Sequence, residues 1–148
     1  MKKSSFLKLL LTVSLLLGTT PELFCIDAAP TLALQNAQGD VLIAQAFKNK
    51  QSNLQVSGQG IVVKILPDDT TGKRHQKFIL KLPSGHTLLV AHNIDIAPKV
   101  TSLKDGDTVE FYGEYEWSAK GGVLHWTHKD PQNKHVAGWL KHQGRLYQ

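Results

Sequence analysis

Beyond residue 53 the chain alternates apolar and polar positions, and a period of two marks strands with one buried face. The first such stretch spans 54–65, with Ile61, Val63 and Ile65 on one face and Val62 and Lys64 on the other. Gly58 and Gly60 lie two apart inside it, as at a bulge or the corner of a small barrel. A polar run over 67–72 predicts a loop. A second strand is predicted over 76–82, with Phe78, Leu80 and Leu82 inward and His75, Lys77, Ile79 and Lys81 on the opposite face. After the turn Pro83-Ser84-Gly85, a third strand over 86–92 is apolar on both faces through its middle, which predicts cover on both sides. Residues 94–100 form a connection stopped by Pro98, and a polar turn at 103–107 launches a fourth strand. There Val109, Phe111, Tyr115 and Trp117 share the inward face, and Thr108, Glu110, Tyr112, Glu114 and Glu116 the wet one. Lys120-Gly121-Gly122 turns into a fifth strand over 123–128, followed by a loop at 130–133 and a tail holding Trp139, Leu140, Leu146 and Tyr147. Only residues 39–52 read as helix, with Asp40 as its cap and Leu42, Ile43 and Phe47 on one face.

Five short strands, an early glycine-marked bend and a connection between strands three and four predict a mainly β fold, a small five-stranded Greek-key barrel with an N-terminal helix. The string Asp105-Gly106-Asp107-Thr108-Val109-Glu110-Phe111-Tyr112-Gly113 resembles the entry to the fourth strand of oligonucleotide/oligosaccharide-binding (OB) barrels. A β-sandwich is the rival, for which five strands are few. The chain start carries an address. Lys2 and Lys3 precede a run over 6–18 that is apolar apart from Lys8, Thr12 and Ser14, and small residues and Pro21 follow. That order predicts a signal peptide over 1–28, with a run too short to span a bilayer comfortably. The expected division is signal peptide 1–28, helical segment 29–53 and OB-like domain 54–148, the protein being periplasmic or secreted. Cys25 leaves with the signal, so no disulfide is available to the exported part.

Charge then narrows the partners. Three of the 17 Lys and Arg and two of the 12 Asp and Glu fall within 1–28, leaving about +4 on the remainder. A mild positive balance suits anionic partners, nucleic acid foremost. The chain has seven histidines, several in short polar motifs at strand ends. Three chemistries compete for them. In the first, Glu114 or Glu116 orients His125 as a general base, Arg74 and Lys77 neutralise a phosphate, and His92-Asn93 supplies a second base and a donor, which together make a phosphodiesterase. The staphylococcal-type nucleases put a basic and acidic site on this kind of barrel, and the chain resembles them in outline only. In the second, His128, Asp130 and His135 converge on a divalent metal, with His92 or His125 completing the set. In the third, His75, Lys77 and Lys81 form a basic track, with Asn93 as a further ligand-binding residue and Tyr112, Trp126 or Trp139 as stacking platforms for a polymer. No serine stands in a glycine-flanked elbow and the lone cysteine leaves with the signal, which argues against serine and cysteine hydrolases, and no glycine-rich phosphate cradle occurs.

Several strings carry a family likeness: Arg74-His75-Gln76-Lys77-Phe78, Leu89-Val90-Ala91-His92-Asn93-Ile94-Asp95, Gly113-Glu114-Tyr115-Glu116-Trp117, His125-Trp126-Thr127-His128-Lys129-Asp130-Pro131 and the closing run from Gly138 to Gln148. Over 55–148 the chain resembles a family of short exported bacterial proteins known only as a domain of unknown function. The resemblance implies no activity. The expectation is therefore an exported OB-type module binding an anionic or polar polymer, first of all nucleic acid. The alternative is a histidine-based, metal-dependent phosphodiesterase or nuclease.

Overall fold

The structure, a computed structural model, describes residues 28–148; the predicted signal peptide, including Cys25, lies outside the described residues but for Ala28. One helix and seven strands follow: α1 (Ala28–Asn49), β1 (Leu54–Asp69), β2 (His75–Lys81), β3 (Thr87–Asn93), β4 (Thr108–Glu116), β5 (Val123–His125), β6 (Trp139–His142) and β7 (Arg145–Tyr147). Among the described residues no helix is long and apolar enough to cross a membrane.

Helix α1 begins well before the predicted residue 39. It rests on β1 through Gly39, Ile43 and Ala46, spaced about one turn apart, while Leu34 and Val41 are exposed. A side chain at Gly39 would strike the backbone of Ser57, so helix and strand touch main chain to main chain. Asp40 does not cap the helix. It is buried inside it, and its carboxylate accepts hydrogen bonds from the Ser84 amide at 2.7 Å and the Ser84 hydroxyl at 2.6 Å.

Strand β1 pairs with β4 over its first half and with β2 over its second. Its inward face is Val56, Gly58, Gly60 and Val62, so Ile61, Val63 and Ile65 face solvent. The reason is volume. The Phe111 ring occupies the space a side chain at Gly58 would need, with Cζ 2.7 Å from the position of a Cβ there. Part of the predicted 67–72 loop is strand, reaching Asp69 opposite His75. The next pairings are β2 with β3, β3 with β5 and β5 with β4, and β1 with β4 returns to the start. Five strands therefore close a ring, in which β3 and β5 are parallel and every other pair is antiparallel. Phe78, Leu80, Leu88, Val90, Val109, Phe111, Tyr115 and Leu124 fill it.

Strand β5 is half the predicted length. It stops after His125 because Trp126 takes a left-handed φ of 51°, which a bulky residue seldom adopts. The tail contains an unpredicted hairpin, with β6 beside β4 and β7 beside β6. Its Gln143-Gly144 turn has φ of 48° and 77°, as two-residue hairpin loops of the mirror-image type require.

Candidate functional site

Alternation on β4 puts Glu114 and Glu116 on the outward face, two residues apart. Antiparallel pairing sets His125 of β5 directly opposite Glu114. The abrupt end of β5 at Trp126 throws the following segment into a loop, and Asp130 shapes that loop. Its carboxylate accepts backbone hydrogen bonds from Gln132 at 3.0 Å, Lys134 at 2.8 Å and His135 at 3.1 Å, and these bonds hold its pKa below the usual carboxylate range. The loop thereby returns His135 over Trp126, ring on ring at 4.0 Å with planes 7° apart.

His135 is tied at both nitrogens. Nε2 donates to Glu114 Oε2 at 2.7 Å, and Nδ1 donates to the Val136 carbonyl at 2.8 Å. Burial works against its charge, but the Glu114 and Val136 bonds outweigh that and raise its pKa. His125 differs. Its Nε2 lies 3.4 Å from Glu114 Oε1 and 3.9 Å from Glu116 Oε1. The atom is buried and its alignment with either carboxylate is too poor for a hydrogen bond. Burial lowers the His125 pKa more than the two carboxylates raise it. His128 donates from Nδ1 to the Lys129 carbonyl at 2.9 Å, and burial likewise lowers its pKa.

His125, Trp126, His128, Asp130 and His135 line an open cleft of about 580 Å³, together with His75 of β2, Asn93 of β3, Lys73 from the β1–β2 loop and Lys134. A neighbouring cavity of about 410 Å³ shares His75 and His125 and adds Lys77 and Glu116. Of the residues singled out from the sequence, the structure brings His75, Asn93, His125, Trp126, His128, Asp130 and His135 to the cleft, with Glu114 bonded to its wall. Lys77 stands in the adjoining cavity, 3.9 Å from Asp69.

Four expected groupings are placed differently by the fold. His92 is wholly buried, and Arg74 is engaged by Asp95 through both its amide, at 2.8 Å, and its Nε, at 2.7 Å; neither lines the cleft as a catalytic group. Trp139 sits on β6 beside Tyr112, ring centroids 6.4 Å apart, and does not line the cleft. His128, Asp130 and His135 share a loop but do not gather their donor atoms around a point, because Asp130 spends its oxygens on backbone amides and His135 both its nitrogens on acceptors. Among the described residues the set with metal-ligand spacing is Glu114, Glu116 and His125, whose donor atoms lie within 4.8 Å of one another. Sequence reasoning missed Lys73, Gln132 and Lys134 in the cleft. The one available signal was Asp130-Pro131, a turn opening that folds the next residues back on the preceding ones.

A family model described as "Protein of unknown function (DUF3465)" matches residues 25–148. No curated protein matches the sequence.

Proposed function

We propose a function from the premise that the chain belongs to this family of proteins of unknown function: the histidine-lined cleft holds a segment of an anionic polymer, a single-stranded nucleic acid before others. In this reading the five-strand ring is a Greek-key barrel of the OB type. Its support is the ring order, with the parallel pairing of β3 and β5. OB barrels bind across strands two and three and the loop between strands one and two. The cleft is lined from those places, by His75 on β2, Asn93 on β3 and Lys73 in the β1–β2 loop. Export, if residues 1–28 act as a signal, would put the binding event outside the cytoplasm.

The observation that carries the reading is the stack of His135 on Trp126 at the wall of a cleft that also presents Lys73, Lys134 and His75. A fixed aromatic surface beside cationic groups is how proteins hold unpaired bases and their phosphates. Labelled single-stranded oligonucleotides should bind with a log affinity that falls linearly with log salt, by roughly 0.7 per neutralised phosphate. Fluorescence anisotropy checks this. Trp126→Ala and the Lys73→Ala, Lys134→Ala pair should each weaken binding at least about tenfold, a loss of roughly 1.4 kcal/mol. Equal binding by these variants, or an affinity indifferent to salt, would defeat the reading.

One observation favours the hydrolase alternative. Glu114 faces His125 with one oxygen and His135 with the other, so a single carboxylate aligns two imidazoles. In such a pair His125, its pKa lowered, can accept a proton from an attacking hydroxyl, and His135, its pKa raised, can give one to a leaving oxygen once its bond to the Val136 carbonyl opens. Cleavage of the bound oligonucleotide, lost in Glu114→Gln while binding persists, would move the protein from binder to phosphodiesterase.

A further inference from the structure

We propose that Glu114, Glu116 and His125 form a binding site for a divalent transition metal, zinc by the character of its donors. The site does not depend on the polymer reading, since it uses three side chains on two paired strands and no part of the Trp126 platform. Strand geometry preassembles it. Residues two apart on β4 present their carboxylates to one face, and the cross-strand neighbour of the first is an imidazole. The donor atoms lie within 4.8 Å of one another, with Nε2 of His125 at 3.4 and 3.9 Å from the two Oε1 atoms. Around a tetrahedral ion with bonds of about 2.0–2.1 Å, ligand atoms stand roughly 3.4 Å apart, so small side-chain rotations complete the sphere.

Three further facts point the same way. Nε2 of His125 is buried and meets no hydrogen-bond partner in the protein, a cost that a cation at this point would remove. Glu116 has no ion pair among the described residues closer than the 3.9 Å to His125, although a second carboxylate stands beside it. Glu114 offers only one oxygen to the centre, because His135 holds the other at 2.7 Å. An outer hydrogen bond of that kind fixes the orientation of a ligating carboxylate. One nitrogen and two carboxylates suit a borderline ion better than magnesium or calcium, which prefer oxygen throughout. Three protein ligands also leave a coordination position over, as in sites that handle a substrate. The route in is the cavity of about 410 Å³, which both Glu116 and His125 line.

The test uses tag-free, chelator-treated protein and the metal ions alone. Isothermal titration with Zn²⁺ should show one equivalent bound with micromolar or tighter affinity, and Mn²⁺, Mg²⁺ and Ca²⁺ should bind far more weakly. Glu116→Gln and His125→Ala should each lower Zn²⁺ affinity by more than about tenfold. His128→Gln should leave it unchanged. Thermal unfolding covers any variant whose fold is impaired: Zn²⁺ should raise the melting temperature of the natural protein and of His128→Gln, and not that of Glu116→Gln. The absorption of Co²⁺ loaded into the site should report four-coordinate nitrogen and oxygen ligation and should vanish in His125→Ala. Zn²⁺ binding that survives Glu116→Gln, or that follows His128 instead, overturns the proposal. Oligonucleotide binding measured in chelator separates this outcome from failure of the polymer reading.

Discussion

His92 shows how a buried imidazole satisfies both its nitrogens. Nε2 donates to the Pro98 carbonyl at 3.1 Å, which can only accept, so Nδ1 is the acceptor and takes the Thr127 hydroxyl at 2.8 Å. That single neutral tautomer satisfies both nitrogens. Burial, with the nearby His128 and His75 charges, pushes the pKa down from 6.5 to about 4. Between those values the unfolded chain takes up a proton that the folded chain refuses. His92 therefore lends stability that is fully present above about pH 6.5 and is lost as pH falls toward 4. The loss is on the order of 3 kcal/mol. Urea unfolding at pH 7 and pH 4.5 should show a His92-dependent fall that is missing in His92→Gln; an equal fall in both would refute this. The sequence hid this role because β3 is apolar on both faces as far as Ala91, so alternation could not say which face was buried. The Glu114–His125 contact was legible for the opposite reason, since the clean alternation of β4 fixed the face and strand pairing fixed the neighbour. Arg74 could not be read, because its partner Asp95 lies 21 residues away and meets it only when β2 and β3 pair.

The elements found from the sequence were those long enough to show a period. Strands β2 and β4 emerged with their inward residues correctly assigned. The β6–β7 hairpin did not, because strands of four and three residues carry too few positions to establish one. Its burial of His142, bonded to Asp107 at 2.9 Å, further disguises it as a polar tail. The hairpin matters to the cleft, since β6 begins beside the loop that carries His135. Gly138 stands at that junction, its amide donating to the His128 carbonyl at 3.0 Å. A methyl group there would run into the carbonyl oxygens of Trp126 and Tyr112, both backbone atoms with little freedom to yield. Gly138→Ala should cost about 2–4 kcal/mol in denaturant unfolding and disturb the tryptophan emission of the folded state. An unchanged midpoint would mean the loop relaxes freely.

At the scale of the whole molecule, the mainly β character and the N-terminal helix were legible, and the glycine pair in β1 marked the corner where one strand serves two neighbours. The order of strands was not. The ring depends on β3 lying parallel to β5, a contact of two residue pairs between segments 34 positions apart, and nothing local encodes it. The closure also stops short. From Val63 to Asp69, among the described residues, β1 is paired with β2 alone, and Ile61, Val63 and Ile65 stand 42% exposed around the point where its other partner ends. A bare strand flank bearing β-branched side chains invites another chain to add to it, which is the first step of aggregation. The local sequence works against that addition. Register shifts after Val62 and Leu66 kink the flank, Lys64 charges it, and Pro67 withholds an amide. Pro67→Val should give concentration-dependent association, visible by light scattering, under conditions where the natural chain stays dispersed. The irregular end of β1, so awkward to read as strand or loop, thus opposes one molecule templating on the next.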